Sequence, residues 1–396
     1  MAVAEIRPVA QGDGESWLER IRAMGPMIDE AASANQDVTQ LTEGVVRTMD
    51  DAGVFSMMAP REVGGTEAHP SDLIDVISEL SYWDGSAGWY AHAVMTGGSV
   101  AGAFLGDKAV EAIFPDGKFA HAAGQAAPTG TAVREGDGYR ISGRYSFGSG
   151  SPYAQWIVGG YVLLEDGKPV LGPLGAPVML IGLAPRDTVT FKGNWDVIGL
   201  RGTGSYDFEV GEQVLHEDFF HNTSAPVHRR GGALYKMGFM ALPCISHGAF
   251  AIGAARRMID EWKGFAQSKQ RPDGKCQSES DVFQRDIAIA LADLRAAETY
   301  FRETFNRLFD AAESGTVTDE MRLDGRLSTS HTFIAAMRIA QTAFASCTTY
   351  AIRDANPIQR VYRDIQAGNA HYLTAEQSLI EAGKVIAEAE GAMLVF

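Results

Sequence analysis

The chain has 396 residues, of which 45% are hydrophobic and 21% are charged, and its formal net charge is −16 at pH 7. This length supports a large core and two or three domains, and such an acidic surface disfavours nucleic acid and anionic membranes as partners. No stretch approaches the roughly eighteen apolar residues of a membrane span, and no signal peptide is visible, so we expect a cytoplasmic protein. The three scattered cysteines and the widely spaced histidines predict neither a disulfide framework nor a bound metal.

The first 116 residues are predicted to form a helical domain. Leu73, Val76 and Leu80 recur with the period of a helix, and the segment that starts at Leu41 ends at Gly53, a residue typical of helix C-termini. These local signals predict several helices before the first strand.

Residues 117–231 are predicted to form a β domain. Short runs rich in β-branched and aromatic residues are separated by turn signals such as Gly136-Asp-Gly138. The predicted strands are Tyr139–Phe147, Trp156–Leu164, Pro177–Leu183 and Phe208–Leu215. Strands of this length and spacing favour a barrel or a sandwich.

Residues 232–396 are predicted to form a four-helix bundle. Amphipathic runs lie near residues 244–268, 279–314, 327–355 and 358–394, and the loop from Gln270 to Gly274 separates the first two. Small residues such as Gly253 in the first run predict close contact with another helix. The helices carry more apolar surface than one bundle core needs, so we expect a homotetramer.

The segment from Arg360 to His371 is the most informative part of the sequence. On a continuous helix, Arg360, Asp364, Ala367 and His371 share one face. Ala367 and Gly368 would leave space above the backbone for a large ligand. Without further context, a histidine on a helix is most often structural, and the charged residues would be interpreted as an ion-pair network.

This segment resembles the C-terminal active-site region of the acyl-CoA dehydrogenase superfamily, in which an Arg-Asp pair precedes the catalytic residues. Counting from Arg363-Asp364, the dehydrogenase run Tyr-Glu-Gly-Thr falls on residues 371–374, so Tyr372 replaces the catalytic glutamate and His371 precedes it. Arg-Asp followed by this histidine is similar to the flavin-dependent monooxygenase branch, the oxygenase components of two-component aromatic hydroxylases. The resemblance covers about residues 49–389 and implies an α+β fold with an N-terminal helical domain, a central β-barrel or sandwich and a C-terminal four-helix bundle.

Two further motifs match positions beside the flavin in that branch. Ser149, followed by Gly150, implies a hydroxyl near flavin N5 that would slow the loss of hydrogen peroxide from the flavin C4a-hydroperoxide. Without the resemblance, this motif is an ordinary turn. The second motif is otherwise a glycine-rich connection with a core tryptophan, and the resemblance implies that its flavin-binding residues are Trp195, Arg201, Thr203 and Ser205.

The helix that carries Trp89, Tyr90 and His92 borders the substrate cavity in the superfamily. These side chains would stack on an aromatic substrate or hydrogen-bond to it. His121 and Tyr372 are further candidates for substrate contact. The alternative interpretation is an aromatic cluster in a helix interface, and His247 on a later helix is equally compatible with simple burial.

The resemblance implies an enzyme that takes reduced FMN or FAD and O2 and hydroxylates a small aromatic or indolic substrate. His371 would deprotonate or orient that substrate. No dinucleotide-binding fingerprint is present, so a separate NAD(P)H:flavin reductase would supply the reduced flavin. The Arg-x-x-Phe-Gly motif with which many dehydrogenases contact the flavin pyrophosphate is missing, and Lys269 is nearest to it by spacing.

Two alternatives remain open. An acyl-CoA dehydrogenase would need its catalytic base elsewhere, and Glu261 and Glu376 are the nearby acids. A protein that keeps the fold without catalysis would bind flavin in neither redox state.

Overall fold

The computed structural model describes residues 16–172, 175–224, 226–374 and 376–389. Asp84 separates two of the N-terminal helices and caps the second, because its carboxylate accepts a hydrogen bond from the Ser86 amide. The N-terminal helices are α1 (Trp17–Asp37), α2 (Glu43–Asp51), α3 (Pro70–Trp83), α4 (Gly85–Phe104) and α5 (Asp107–Ile113). The cap at Asp84 starts α4 directly after α3, and nearly every residue of α4 is buried.

The strands that follow form one eight-stranded sheet in the order β6-β7-β2-β1-β3-β5-β8, with β4 paired to β3. β1 and β3 run parallel, and the turn predicted at residues 136–138 is confirmed as an antiparallel hairpin between β1 and β2. The register of β1 against β3 shifts between Gln125 and Gly130, a bulge that bends β1. The strands are β1 (Ala122–Glu135), β2 (Gly138–Tyr145), β3 (Trp156–Glu165), β4 (Lys168–Pro169), β5 (Met179–Pro185), β6 (Val189–Phe191), β7 (Phe208–His216) and β8 (Phe220–Asn222).

The C-terminal part is helical, as predicted, but its last helix is divided. The helices are α6 (Ala233–Lys236), α7 (Ala241–Ser268), α8 (Asp281–Ser314), α9 (Asp319–Cys347), α10 (Pro357–Asn369) and α11 (Glu376–Ile386). The prediction of one helix over residues 358–394 is therefore wrong, and residues 390–396 lie outside the described part of the chain. The break has a local cause, because the Thr374 hydroxyl donates to the carbonyl oxygens of Gly368 and His371 at 3.2 and 2.9 Å. The backbone tightens into turns at the same place, since the His371 and Thr374 amides donate to these two carbonyls at 3.1 and 2.9 Å.

Helix α7 lies at the centre of the helical part and packs against α3, α8, α9 and α10. Its Gly253 faces the backbone of Ser78 on α3 so closely that an added Cβ would collide with the Ser78 carbonyl oxygen. The close helix contact predicted for this position is confirmed. This contact brings α7 against α3, which leads directly into α4.

We expect Gly253→Ala to lower the free energy of unfolding by about 1–3 kcal/mol, because the new methyl group meets backbone that cannot move aside cheaply. Gly264→Ala on the same helix is the matched control, since an added Cβ there meets nothing within 4 Å. That control is expected to be neutral or to stabilise by up to about 1 kcal/mol. Urea denaturation of both variants measures the difference, and equal stabilities would contradict the close contact.

No helix in the described ranges is long and apolar enough to cross a membrane. The domain limits predicted at residues 116/117 and 231/232 stay predictions.

Candidate active site

Trp89 on α4 is the centre of an aromatic cluster drawn from three helical segments. It lies edge-on to His92, one turn further along α4, with ring centroids 4.8 Å apart. From α7, His247 and Phe250 approach it at 4.9 and 5.1 Å, and His371 after α10 approaches it at 5.9 Å. Trp89, His92 and His247 are each less than a tenth exposed, whereas His371 is partly exposed and forms the outer edge of the cluster.

The three imidazoles are also in contact with one another. The ring centroids of His247 and His371 are 4.2 Å apart, and those of His92 and His247 are 4.6 Å apart. Burial lowers the pKa of His371 to about 4 and the pKa of His92 to about 3, and it lowers the pKa of His247 well below its ordinary value. All three rings are therefore neutral at pH 7, which permits this close packing. Within the described residues, no three His, Cys, Asp or Glu side chains are arranged to hold a metal ion.

A row of hydroxyl groups connects this cluster to the β region. The Trp89 indole N–H donates to Ser149 Oγ at 3.2 Å. Ser149 Oγ lies 2.7 Å from Ser205 Oγ, which lies 2.7 Å from Thr203 Oγ1. The row ends at Leu200, whose carbonyl oxygen accepts from the Thr203 hydroxyl at 2.8 Å. The two glycine-rich motifs, about fifty residues apart in sequence, thus meet beside the histidines.

The Arg-Asp pair on α10 holds the loop that carries the hydroxyl row. Asp364 Oδ1 accepts a hydrogen bond from the Leu200 amide at 2.6 Å, and Arg363 Nη1 donates to the Ile198 carbonyl at 2.6 Å. Between them, Gly199 lies so close to α10 that an added Cβ would collide with the Arg363 carbonyl oxygen. Burial and the nearby Asp84 carboxylate raise the pKa of Asp364 to about 7. Asp364 therefore serves to position the loop.

His371 does not lie on the helical face predicted for it. Helix α10 ends at Asn369, and His371 follows in a turn in which its Nδ1 accepts a hydrogen bond from the Leu373 amide at 3.3 Å. The space predicted above Gly368 is filled, since an added Cβ would lie 2.6 Å from Phe250 and 3.1 Å from Trp89. The small residue admits two aromatic rings of the cluster in place of a ligand.

The remaining predicted site residues lie outside the cluster. Tyr90 packs on Phe55 and Tyr153, because adjacent residues on a helix face different directions. His121 is hydrogen-bonded to Asp50, with His121 Nε2 3.1 Å from Asp50 Oδ1.

Of four other predicted residues, three have separate hydrogen-bond partners and Lys269 is exposed. Tyr372 is 49% exposed and donates to Glu381, and Lys269 is exposed at the end of α7. In the loop, Arg201 donates to the Val197 carbonyl, and Trp195 donates to the Leu200 carbonyl at 3.0 Å. Of this group, Trp195 and Arg201 stay beside the hydroxyl row, and Tyr372 and Lys269 point elsewhere.

Sequence analysis did not assign His247 and Phe250 to the site. A signal was present, because two helices each carry a histidine and a large aromatic residue three positions apart: Trp89 with His92, and His247 with Phe250. Residues at this spacing share a helix face. Their meeting depends on how α4 and α7 pack, which the local pattern does not contain.

Residues 245–376 match the family model described as acyl-CoA dehydrogenase, C-terminal domain. The chain is 26% identical over 378 residues to the pigment production hydroxylase of Rhodococcus erythropolis, which covers 93% of this chain and 95% of the relative. It is 26% identical over 390 residues to HsaA, the oxygenase subunit of a flavin-dependent monooxygenase of Mycobacterium tuberculosis, over 92% and 93% of the two chains. Indole-3-acetate monooxygenase of Pseudomonas putida is 27% identical over 380 residues, with 91% and 93% covered.

Solved structures give the same architecture. The HsaA monooxygenase from Mycobacterium tuberculosis superposes with a TM-score of 0.87 at 23% identity, over 97% of this chain and 100% of that chain. XiaF from Streptomyces sp., solved in complex with FADH2 and glycerol, superposes with a TM-score of 0.84 at 20% identity, over 96% of each chain. The predicted α+β fold class is confirmed. The chain is thus similar to the acyl-CoA dehydrogenase family over residues 245–376, and over 92% of its length it is similar to the oxygenase subunit of a flavin-dependent monooxygenase, the branch that the sequence predicted.

The lowered histidine pKa values predict a loss of stability in acid. Because the native pKa of His371 is about 4 and its ordinary value is 6.5, the unfolded chain binds more protons than the native protein between these values. The stabilising contribution of the neutral ring is present above about pH 6.5 and is lost as the pH falls toward 4. The variant His371→Asn keeps a side-chain oxygen that can accept from the Leu373 amide, but it has no imidazole to titrate. The pH-dependent contribution of His371 is therefore absent from it.

We expect wild type to lose more unfolding free energy than His371→Asn between pH 7 and pH 5. The difference is on the order of 1 kcal/mol, allowing for solvent around a partly exposed ring. Urea titrations at both pH values measure it. Parallel losses in the two proteins would show that His371 is not neutral and enclosed in the native state.

Proposed function

We propose that this protein is the oxygenase component of a two-component flavin monooxygenase, which uses reduced FMN or FAD and O2 to hydroxylate a small aromatic or indolic substrate. The hydrogen bond from Trp89 to Ser149 is the observation that carries this proposal. It joins a cluster of neutral imidazoles to a row of hydroxyl groups at one place in the fold. The relatives named as monooxygenases and hydroxylases support the same activity.

The residues around the hydroxyl row fit a flavin ring. Phe147 and Ile198, at the two ends of this region, are 61% and 65% exposed, and Trp195 lies edge-on to Phe147. Such apolar surface beside hydroxyl donors suits a flat ring system with a polar edge. The residues that would hold the flavin are Ser149, Gly150, Trp195, Arg201, Thr203 and Ser205, and Lys269 stays a more distant candidate. When bound, reduced flavin reacts with O2 and supplies the oxygen atom that enters the substrate.

The protein's own groups position the reactants. His371 Nδ1 accepts from the Leu373 amide, so the proton of the neutral ring lies on Nε2, which can donate a hydrogen bond. Of the two roles predicted for His371, this favours orientation over deprotonation of the substrate. Trp89 and His92 line the same cluster and supply apolar surface that excludes water. Tyr90, His121 and Tyr372 contribute less directly in this proposal, because they face other partners.

The dehydrogenase alternative has no support from the site. A dehydrogenase needs a carboxylate base beside the substrate, yet Glu261 accepts a hydrogen bond from Arg257 at 2.8 Å, and Glu376 is exposed on α11. The Asp364 carboxylate lies beside the loop of the hydroxyl row, and it is committed to the Leu200 amide. The three relatives named above are likewise hydroxylases or monooxygenases by name.

Steady-state turnover tests the proposal. The purified protein is combined with NADH, FMN or FAD, a generic flavin reductase, isotopically labelled O2 and a panel of phenols and indoles. We expect a product that carries one labelled oxygen atom and NADH consumption that responds to the substrate. Reduction of a bound flavin by an acyl-CoA, with no labelled product, would contradict the proposal in favour of the dehydrogenase.

We expect His371→Ala to lower product formation by at least on the order of a hundredfold, because the donor that orients the substrate is removed. Flavin binding should stay within about twofold of wild type, since the hydroxyl row is intact. Tyr372→Phe is the control, because that hydroxyl bonds to Glu381 outside the cluster. Product formation near the wild-type rate in His371→Ala would remove His371 from the mechanism.

We expect Ser149→Ala to raise the share of reduced flavin that ends as hydrogen peroxide several-fold, as the loss of one hydrogen bond of about 1 kcal/mol implies. The ratio of peroxide to product is measured in coupled turnover. Ser268→Ala is the control, since its hydroxyl bonds only to the Phe265 carbonyl at the end of α7. An unchanged ratio in Ser149→Ala would support the interpretation of residues 147–152 as a simple turn.

The proposal includes a separate NAD(P)H:flavin reductase, a cytoplasmic location and a homotetramer. Large apolar side chains are exposed on the two longest C-terminal helices, namely Ile289 and Leu291 on α8 and Ile334 on α9. Exposed apolar side chains on these helices favour closed assembly of identical chains.

We expect light scattering to give a mass about four times the 42.6 kDa of the chain. Ile289→Lys should lower that mass, because a charge would enter the buried contact. A wild-type mass near 42.6 kDa would contradict the assembly.

A further inference from the structure

His247 carries its proton on the nitrogen that faces its own helix. His247 Nδ1 lies 2.6 Å from the carbonyl oxygen of Pro243, one turn earlier on α7. A carbonyl oxygen can only accept a hydrogen bond, so Nδ1 is the donor. The ring is neutral at pH 7, because burial lowers its pKa well below the ordinary value. Nε2 therefore holds a lone pair, and it points away from α7.

The neighbouring His371 has the opposite arrangement. Its Nδ1 accepts a hydrogen bond from the Leu373 amide, so its proton lies on Nε2. The two ring centroids are 4.2 Å apart. Backbone groups thus hold two adjacent neutral imidazoles in different tautomers, one with a free N–H donor and one with a free lone pair.

The lone pair of His247 has no partner inside the described part of the protein. Its Nε2 is buried and makes no hydrogen bond there, and the indole N–H of Trp89 is already committed to Ser149. A buried polar atom without a partner costs about 1–3 kcal/mol of stability. Such a cost is retained at sites where a ligand supplies the missing partner.

We propose that His247 is the specificity-determining residue of the active site, and that its Nε2 accepts a hydrogen bond from an O–H or N–H group on the aromatic ring of the substrate. The inference rests on the proposed oxygenase function and names its substrate class as phenols and heteroaromatic N–H compounds. Ring systems whose donor is capped by a methyl group are excluded, because they leave the Nε2 lone pair unpaired. For a phenol, His371 then donates to the oxygen of the same hydroxyl group, whereas a heteroaromatic N–H offers only the donor that His247 accepts.

Binding without flavin tests this assignment directly. The probes are two matched pairs, phenol with anisole and indole with 1-methylindole, which differ by a methyl cap on the donor. The cluster is closed in this structure, so a ring that enters must part the imidazoles. Trp89 touches all three of them, and isothermal titration calorimetry measures the binding without the fluorescence of the probes.

We expect wild type to bind the donor-bearing member of at least one pair about tenfold more tightly than its capped partner, the effect of one buried hydrogen bond. His247→Phe should bind both members equally, because the acceptor is replaced by a ring of similar size. His247→Gln should recover part of the preference through its amide oxygen. Thermal unfolding of each variant shows that it is folded.

His221→Phe is the matched control, because His221 Nε2 is also buried without a partner in the described chain, and its ring packs on Phe104 and Phe239 away from the cluster. It should keep the preference. A preference kept in His247→Phe, or lost in His221→Phe, would overturn the assignment. Equal wild-type binding of both members of each pair, or binding of neither, would overturn it as well.

A separate measurement tests the proposed oxygenase activity. Oxygen consumption by wild type with reduced flavin and no aromatic probe tests the oxygenase proposal alone. Rapid oxygen consumption with no preference among the probes would reject only the role of His247. No consumption different from that of free reduced flavin would reject the oxygenase proposal, whatever the probes show.

Discussion

The backbone N–H and C=O of Leu200 form the junction on which the rest of the site depends. Its amide donates to the buried carboxylate of Asp364, and its carbonyl accepts from the Thr203 hydroxyl and the Trp195 indole. The first bond ties the β region to α10, and the others set the direction of the hydroxyl row. Through Ser149, this row reaches Trp89 and the three histidines. A small shift of the loop would therefore move the hydroxyl row, where we propose that flavin binds, away from the histidine cluster.

The junction at Leu200 has a cost in folding free energy. Leu200 has a φ of 54°, in the left-handed region that residues with a side chain seldom adopt, and Asp364 lies near a second buried carboxylate, Asp84. Burial raises the pKa of Asp364, which shows that the ionised form is poorly solvated. The Leu200 amide and the two arginines at 360 and 363 offset part of this cost. Strain and buried charge at one place are typical of functional sites.

Local sequence patterns predicted four of the eight described strands, β2, β3, β5 and β7, and the long C-terminal helices α7 to α9, because periodicity and turn residues act over a few neighbours. The Arg-Asp pair and the two glycine-rich motifs predicted the superfamily and its branch, which the comparisons confirm. These motifs are informative because a position where two backbone segments lie in contact allows few residue types. Gly199, packed against the backbone of α10, is an example.

What depends on packing could not be predicted in the same way. The end of α10 before His371 follows from the hydrogen bonds of Thr374, and the filled space above Gly368 follows from Phe250 on another helix. Trp89 and Tyr90 are adjacent in sequence, yet only the packing of α4 decides which of them meets the histidines. The place of His247 in the cluster has the same origin, because its ring neighbours Trp89 and His371 lie far from it in sequence.

The central claim is that the contact between Gly199 and α10 holds the loop on which reduced flavin binds. Equilibrium dialysis under nitrogen, with reduced and oxidised FMN and FAD, tests it in wild type, in Gly199→Ala and in the control Gly44→Ala, where an added Cβ meets nothing within 4 Å. We expect wild type and the control to bind reduced flavin more tightly than oxidised flavin. We expect Gly199→Ala to lose about tenfold or more in affinity for reduced flavin, because small misplacements of binding groups are expensive. Unchanged affinity in folded Gly199→Ala, or tight binding of oxidised FAD that resists dialysis, would contradict the account.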